Sequence, residues 1–180
     1  MTRKDLKPEE FNPYYKVYID KVNDNRSLLE ALEKGKGETI AFFEEVPEDK
    51  LDYRYAQGKW TPKEILLHLI DTERIFTYRA LRFARKETVN LPGFEQDDYA
   101  ARSNAGSRSM KSLLKEYNAV RESTITLFEN LTKEQLEHVG SGSGSSFTAR
   151  ALGFINAGHE IHHIHVIKER YLYSSESPSS

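Results

Sequence analysis

Two histidines four residues apart, His159 and His163, constrain this chain more than any other feature. They lie in a segment whose apolar residues recur at helical spacing. At about 3.6 residues per turn, both imidazoles leave one face of the helix, one turn apart. Leu152, Ile155 and Val166 share that stripe, so the pair points along the apolar face and inward. Buried imidazoles are costly unless they are hydrogen-bonded or liganded. A bonded core pair would satisfy them, and so would a metal ion, because two neutral imidazoles at this spacing can chelate one. His162 and His165 crowd the same segment, about 60° and 120° around the helix from His159. They are not expected as ligands, although His162 is close enough to face the site.

A metal needs a third ligand, and only His68 and His138 lie outside this cluster. His138 precedes a Gly/Ser run and reads as an exposed residue at a helix end. His68 sits inside an apolar helical pattern and shares its stripe with Ile65, Thr72 and Ile75. It is the candidate partner from a facing helix. Asp71 and Glu64 flank it at i+3 and i−4, where a carboxylate could orient a ligand imidazole or simply be helix-surface charge.

Three segments resemble one known family, in its order and spacing. The first is Gly58-Lys59-Trp60-Thr61-Pro62-Lys63-Glu64 leading into His68-Leu69-Ile70-Asp71-Thr72-Glu73-Arg74. The second is the loop Leu91-Pro92-Gly93-Phe94. The third is Ala157-Gly158-His159-Glu160-Ile161-His162-His163 with Lys168-Glu169-Arg170-Tyr171. Together they are similar to the DinB/YfiT-like family over about residues 10–173. The resemblance implies an all-α four-helix bundle of metal-dependent enzymes. It also implies a metal held by one histidine of the second helix and the H-x3-H pair of the fourth: His68, His159 and His163.

The remaining elements read as follows. Residues 1–25 form an N-terminal arm, with the aromatic run Tyr14 to Ile19 packed across the bundle. A bundle over 26–173 then carries helices at about 26–46, 62–86, 109–131 and 147–172, and a tail at 174–180 reads as disordered. Ser27 with Glu30, and Thr61 with Glu64, have the capping-box arrangement. Gly35 and Gly37 weaken the first helix, by up to about 1 kcal/mol each relative to Ala. Arg79 and Arg82 on the second read as long side chains reaching solvent past the helix end, or as a clamp for an anion or substrate. Residues 87–108 make a long crossover suited to a bundle with an overhead link. Its Phe94, Asp97, Asp98 and Tyr99 either wall the site or pack structurally. Gly140 to Ser146 has the composition of a flexible linker.

Composition narrows the function. The net charge is −2 with no basic block, so nucleic-acid binding has little electrostatic support. No run reaches the ~20 apolar residues of a membrane span, and the N-terminus has no apolar core of a signal peptide. Cysteine is absent. That removes thiolate ligands and a cysteine nucleophile, and fits a cytoplasmic protein. No serine elbow or phosphate loop is present, so a metal is the visible source of reactivity. The ion expected is divalent: zinc or nickel first, iron or manganese next. It would activate water for hydrolysis of a small electrophilic substrate, with Asp71 as the assisting catalytic carboxylate. The family resemblance adds transfer of a low-molecular-weight thiol. A non-catalytic dimeric stress-response protein is a third reading. A homodimer is expected because the far side of the fourth helix is apolar too, through Phe154, Ile161 and Ile164. The arm could cover that side instead.

Overall fold

A computed structural model describes residues 1–172, so the expected tail at 174–180 lies outside the described residues. The helices are α1 (Lys16–Ile19), α2 (Leu28–Glu45), α3 (Glu48–Leu51), α4 (Pro62–Ala84), α5 (Gln96–Arg102), α6 (Met110–Glu129), α7 (Lys133–Glu137) and α8 (Ala149–Ile167). A π-helical turn, Lys168–Leu172, extends α8. The bundle is built from α2, α4, α6 and α8. Helix α4 packs against both α6 and α8, and α2 does the same from the other side. The successive long helices α2 and α4 therefore stand diagonally opposed, and the helices carrying the histidines are neighbours.

The ends of these helices follow from short-range chemistry. Ser27 Oγ accepts from Glu30 N while the Glu30 carboxylate accepts from Ser27 N at 2.8 Å. Thr61 and Glu64 repeat the arrangement at the start of α4, at 3.2 and 2.7 Å. Each box satisfies two otherwise orphaned amides. Glu64 also receives two bonds from Arg54, so it caps and braces α4 rather than reaching His68.

Gly140 to Ser146 is not a linker. Strands β1 (Val139–Gly142) and β2 (Ser145–Thr148) pair antiparallel, Gly142 opposite Ser145. Ser143 and Gly144 at their junction have φ of 52° and 72°. Two consecutive left-handed residues make the type I′ turn that matches strand twist. The 87–108 connection is stitched to this hairpin: Leu91 N donates to Ser141 O and Leu91 O accepts from Ser143 N, both at 2.9 Å. Beyond that the crossover folds into α5, which packs on α4.

The N-terminal arm lies along α8. Gly158 permits this, because a Cβ there would stand 1.9 Å from the Tyr18 carbonyl oxygen. Phe154 is buried in the same apolar cluster that receives Tyr15 and Tyr18, while Ile161 and Ile164 are half-buried. Glu10 anchors the arm: Arg150 donates to it at 2.5 and 2.7 Å and Thr148 Oγ1 at 2.8 Å. Burial pushes the Glu10 carboxyl up, but these bonds and one from the Lys7 amide bring it below the usual carboxylate range.

The core has two apolar halves. One holds Leu32, Phe76, Phe83, Phe128 and Leu152; the other holds Phe43, Leu66, Ile70, Leu113 and Ile167. A polar layer crosses the bundle between them, with members on all four long helices. Arg121 is its centre and is 1% exposed. Its Nε and Nη2 donate to Glu73 at 2.7 and 2.8 Å, and its Nη1 and Nη2 to Glu160 at 3.0 and 2.8 Å. The last N–H goes to Leu32 O at 3.1 Å. All five guanidinium donors are used. Tyr117 Oη and Thr39 Oγ1 complete Glu160 at 2.6 and 3.2 Å. Gly35 is glycine because a Cβ there would stand 1.9 Å from Glu160 Oε1.

Removing only the cation should be costly. Arg121→Met leaves two facing carboxylates buried, and breaking such a network typically costs about 3–5 kcal/mol. Replacing Arg121, Glu73 and Glu160 together by apolar residues should recover most of that loss. Urea unfolding of the single and triple variants measures both. A single variant with the wild-type midpoint would mean that the layer carries no such charge.

Candidate metal centre

The polar layer continues into the histidines, because His159 precedes Glu160 on α8 and His68 stands five residues before Glu73 on α4. Their side chains converge by Nε2. His68 Nε2 lies 3.2 Å and His163 Nε2 3.0 Å from His159 Nε2, and the three donor atoms all lie within 4.8 Å of one another. Donors about 2.0–2.1 Å from a tetrahedral ion stand about 3.3 Å apart. The two spacings to His159 are thus close to those of a donor set around one ion, contributed by two neighbouring helices.

Electrostatics favours the same reading. Burial holds His68 down to about 4. Burial and the neighbouring His68 and His162 imidazoles hold His163 down to about 3. His159 is held well below its usual range by burial and then by the imidazoles around it. All three are neutral near pH 7, the state in which imidazole ligates metal.

Neighbouring groups fix the rings. Thr72 Oγ1 lies 3.4 Å from His68 Nδ1. With Nε2 as the donor to metal, Nδ1 carries the proton and the Thr72 hydroxyl accepts it. His163 Nδ1 is buried without a hydrogen-bond partner among the described residues. That ring is oriented by Trp60, stacked on it at 6.4 Å between centroids and 20° between planes. Trp60 also covers His68 at 4.6 Å. Tyr18 of the arm meets His159 and His162 edge-on at 5.0 and 5.2 Å.

Two cavities reach the triad. One, of about 220 Å³, has His68 and His159 in its wall together with Tyr15, Tyr18, Phe76 and Arg79. The other, of about 310 Å³, touches His162, His163 and Trp60.

The residues nominated from sequence separate clearly. His68, His159 and His163 are brought together. His162 lines the second cavity, His165 is exposed, and His138 is the half-buried C-cap of α7 and no member of the triad. Asp71 is half-buried and its ion pair is with Arg74 at 3.5 Å. Burial raises its carboxyl above the usual range, against the pull of Arg74. It is not among the residues lining the first cavity, and the side chain at His68 Nδ1 is Thr72. Phe94 lines the first cavity and Asp97 the second, whereas Asp98 and Tyr99 are exposed. Trp60, Tyr18 and Thr72 were not singled out for the site. Thr72 had a signal, one turn beyond His68; the two aromatics reach the site only through tertiary packing.

The protonation states predict an acid sensitivity for protein stripped of metal. Unfolded histidines take protons below about 6.5, while folded His68 and His163 refuse them until about 4 and about 3. Between those limits the unfolded chain holds more protons, so stability is lost as pH falls through that window. By about pH 5 the loss should be on the order of 2 kcal/mol per histidine, read from urea midpoints in a chelator. His68→Asn should flatten the slope. An unchanged slope would show that His68 titrates normally.

Comparison with known proteins agrees with this architecture. The DinB superfamily model matches residues 31–167. A protein of Oceanobacillus iheyensis, provisionally named a metal-dependent hydrolase, is 25% identical over 156 residues, covering 85% of this chain and 87% of that protein. The structure of YfiT from Bacillus subtilis, described as a probable metal-dependent hydrolase with an unusual four-helix bundle topology, superposes with a TM-score of 0.69 at 18% identity. That match covers 83% of this chain and 90% of YfiT. The crystal structure of YjoA, a DinB-like protein of Bacillus subtilis, gives a TM-score of 0.58 at 18% identity, over 86% of this chain and 96% of that one. With its bundle topology and a family match across most of its length, the chain belongs to the DinB superfamily.

Proposed function

We propose that this protein is a metal-dependent hydrolase of small molecules, with His68, His159 and His163 holding one divalent ion. The observation that carries the reading is the convergence by the same ring nitrogen of three neutral imidazoles, His68 and His159 buried in the wall of a cavity and His163 half-buried beside them. The provisional name of the Oceanobacillus relative supports it. When bound, such an ion supplies Lewis acidity and brings the pKa of water toward neutrality. Three protein donors leave a coordination position open, as in catalytic rather than structural zinc sites. Zinc or nickel is the expected ion.

The chain's own residues do the rest. Thr72, 3.4 Å from His68 Nδ1, can accept that nitrogen's proton, which would leave Nε2 free to hold the ion. Trp60 and Tyr18 cover the rings from two sides and limit water at the triad. The first cavity, at about 220 Å³, limits the substrate to a small molecule. Its aromatic walls favour one with an apolar body.

Purified protein should contain one divalent ion per chain by elemental mass spectrometry. His68→Ala, His159→Ala and His163→Ala should each lower that content at least tenfold. Chelation should abolish hydrolysis in a panel of activated esters and amides, and the restored ion should return it. Unchanged metal content in all three variants, or equal rates in the stripped protein, would overturn the reading.

A further inference from the structure

Arg79 projects from the same stripe of α4 as His68, eleven residues on. It is 2% exposed, yet it has no acidic partner among the described residues. The other buried arginines are paired: Arg121 with Glu73 and Glu160, Arg150 with Glu10 and Glu137. Arg82, on the next turn, is tied to Glu87. Burying a lone guanidinium is expensive, and this one lines the cavity that His68 and His159 wall.

The surroundings are built to hold it. Nη2 donates to Pro92 O at 2.7 Å and to Ser143 Oγ at 2.8 Å. Nε and Nη1 have no hydrogen-bond partner among the described residues. Gly142 makes room: a Cβ there would stand 3.3 Å from Nε and 3.5 Å from Cζ. Phe76 underlies the guanidinium, with Cζ 5.8 Å from its ring centre. The hairpin and the Leu91–Pro92 loop therefore hold Nη2, the nitrogen common to both edges of the fork, and leave Nε and Nη1 without a protein partner among the described residues.

We propose that Arg79 anchors the carboxylate of a small substrate whose reacting part lies at the histidine triad. This rests on the reading of the triad as the reactive centre. The geometry sets the length. His68 and Arg79 are about 16 Å apart along the helix and about 20° apart around it. The arginine leans back one turn over Phe76, so charge and reacting atoms stand on the order of 10 Å apart. Arg79 is the one arginine or lysine among the residues lining the cavity, and Glu95 adds a carboxylate there. A singly charged carboxylate balances it better than a dianionic phosphate. Tyr15, Tyr18, Phe76 and Phe94 suit an apolar chain or ring between the two ends.

The test compares 4-phenylbutyrate with 4-phenylbutyramide by calorimetry on the full-length protein with its metal. The acid should bind, and the amide at least tenfold more weakly, since a charge-assisted hydrogen bond to the buried guanidinium is lost. Arg79→Gln should weaken the acid at least tenfold and leave the amide unchanged, with Arg79→Lys between them. His163→Ala should keep acid binding while losing metal, which separates this site from the metal reading. Equal binding of acid and amide to wild type would overturn the proposal, and needs no variant to fold. So would no acid binding at about 10 mM, or acid binding that survives Arg79→Gln and disappears in His163→Ala. A merely structural role for Arg79 in holding the hairpin would not make wild-type protein distinguish acid from amide.

Discussion

One buried guanidinium fixes the register of this bundle. Arg121 reaches from α6 to Glu73 on α4, to Glu160 on α8 and to the Leu32 carbonyl on α2. An apolar interface tolerates sliding, because one methyl contact replaces another at little cost. Five saturated donors in the middle of a dry core do not, since any slip leaves a charge unpaired. Burial pushes the Glu160 carboxyl up, and the bonds from Arg121 and Tyr117 pull it back. The layer thus gives up some stability through desolvation and gains a single arrangement of four helices.

That arrangement matters because the site hangs on it. His159 and Glu160 are consecutive on α8, so one turns to the arginine while the other turns to the remaining imidazoles. Glu73 and Thr72 divide the same labour on α4: Glu73 binds Arg121 and Thr72 reaches His68. A shift of either helix large enough to free Arg121 would also part His68 from the α8 pair. Metal donors must be placed to within a few tenths of an ångström to suit an ion, and the layer supplies that placement from the inner side. From the outer side, Trp60 and Tyr18 constrain the rings by contact alone.

Local chemistry was legible in the sequence. The H-x3-H spacing, the apolar stripe around it and the capping boxes at Ser27 and Thr61 depend on residues within a turn or two of each other. His68 could be selected because the alternatives were few. The polar layer could not be read the same way, because its members lie 39 to 121 residues apart. Gly35 looked like a weak point in α2, yet it is the vacancy that Glu160 fills. Sequence spacing favours Asp71, a carboxylate at i+3, as the neighbour of His68, and only the packed helix shows that Thr72 reaches the ring.

The Gly/Ser run shows the limit of composition most clearly. Glycine at 140, 142 and 144 suggests freedom, but each serves a separate constraint. Gly140 lies against the Phe83 ring, where a Cβ would stand 2.0 Å away; Gly142 makes room for Arg79; Gly144 turns the hairpin at φ 72°. A segment that has no periodicity of its own is ordered by what it packs against. It also explains why two buried arginines of one bundle differ in kind. Arg121 spends every donor on protein and can bind nothing else. Arg79 is held through Nη2 alone, by a hairpin and a loop that contribute no negative charge. The first is a fastening. The second has the form of a receptor.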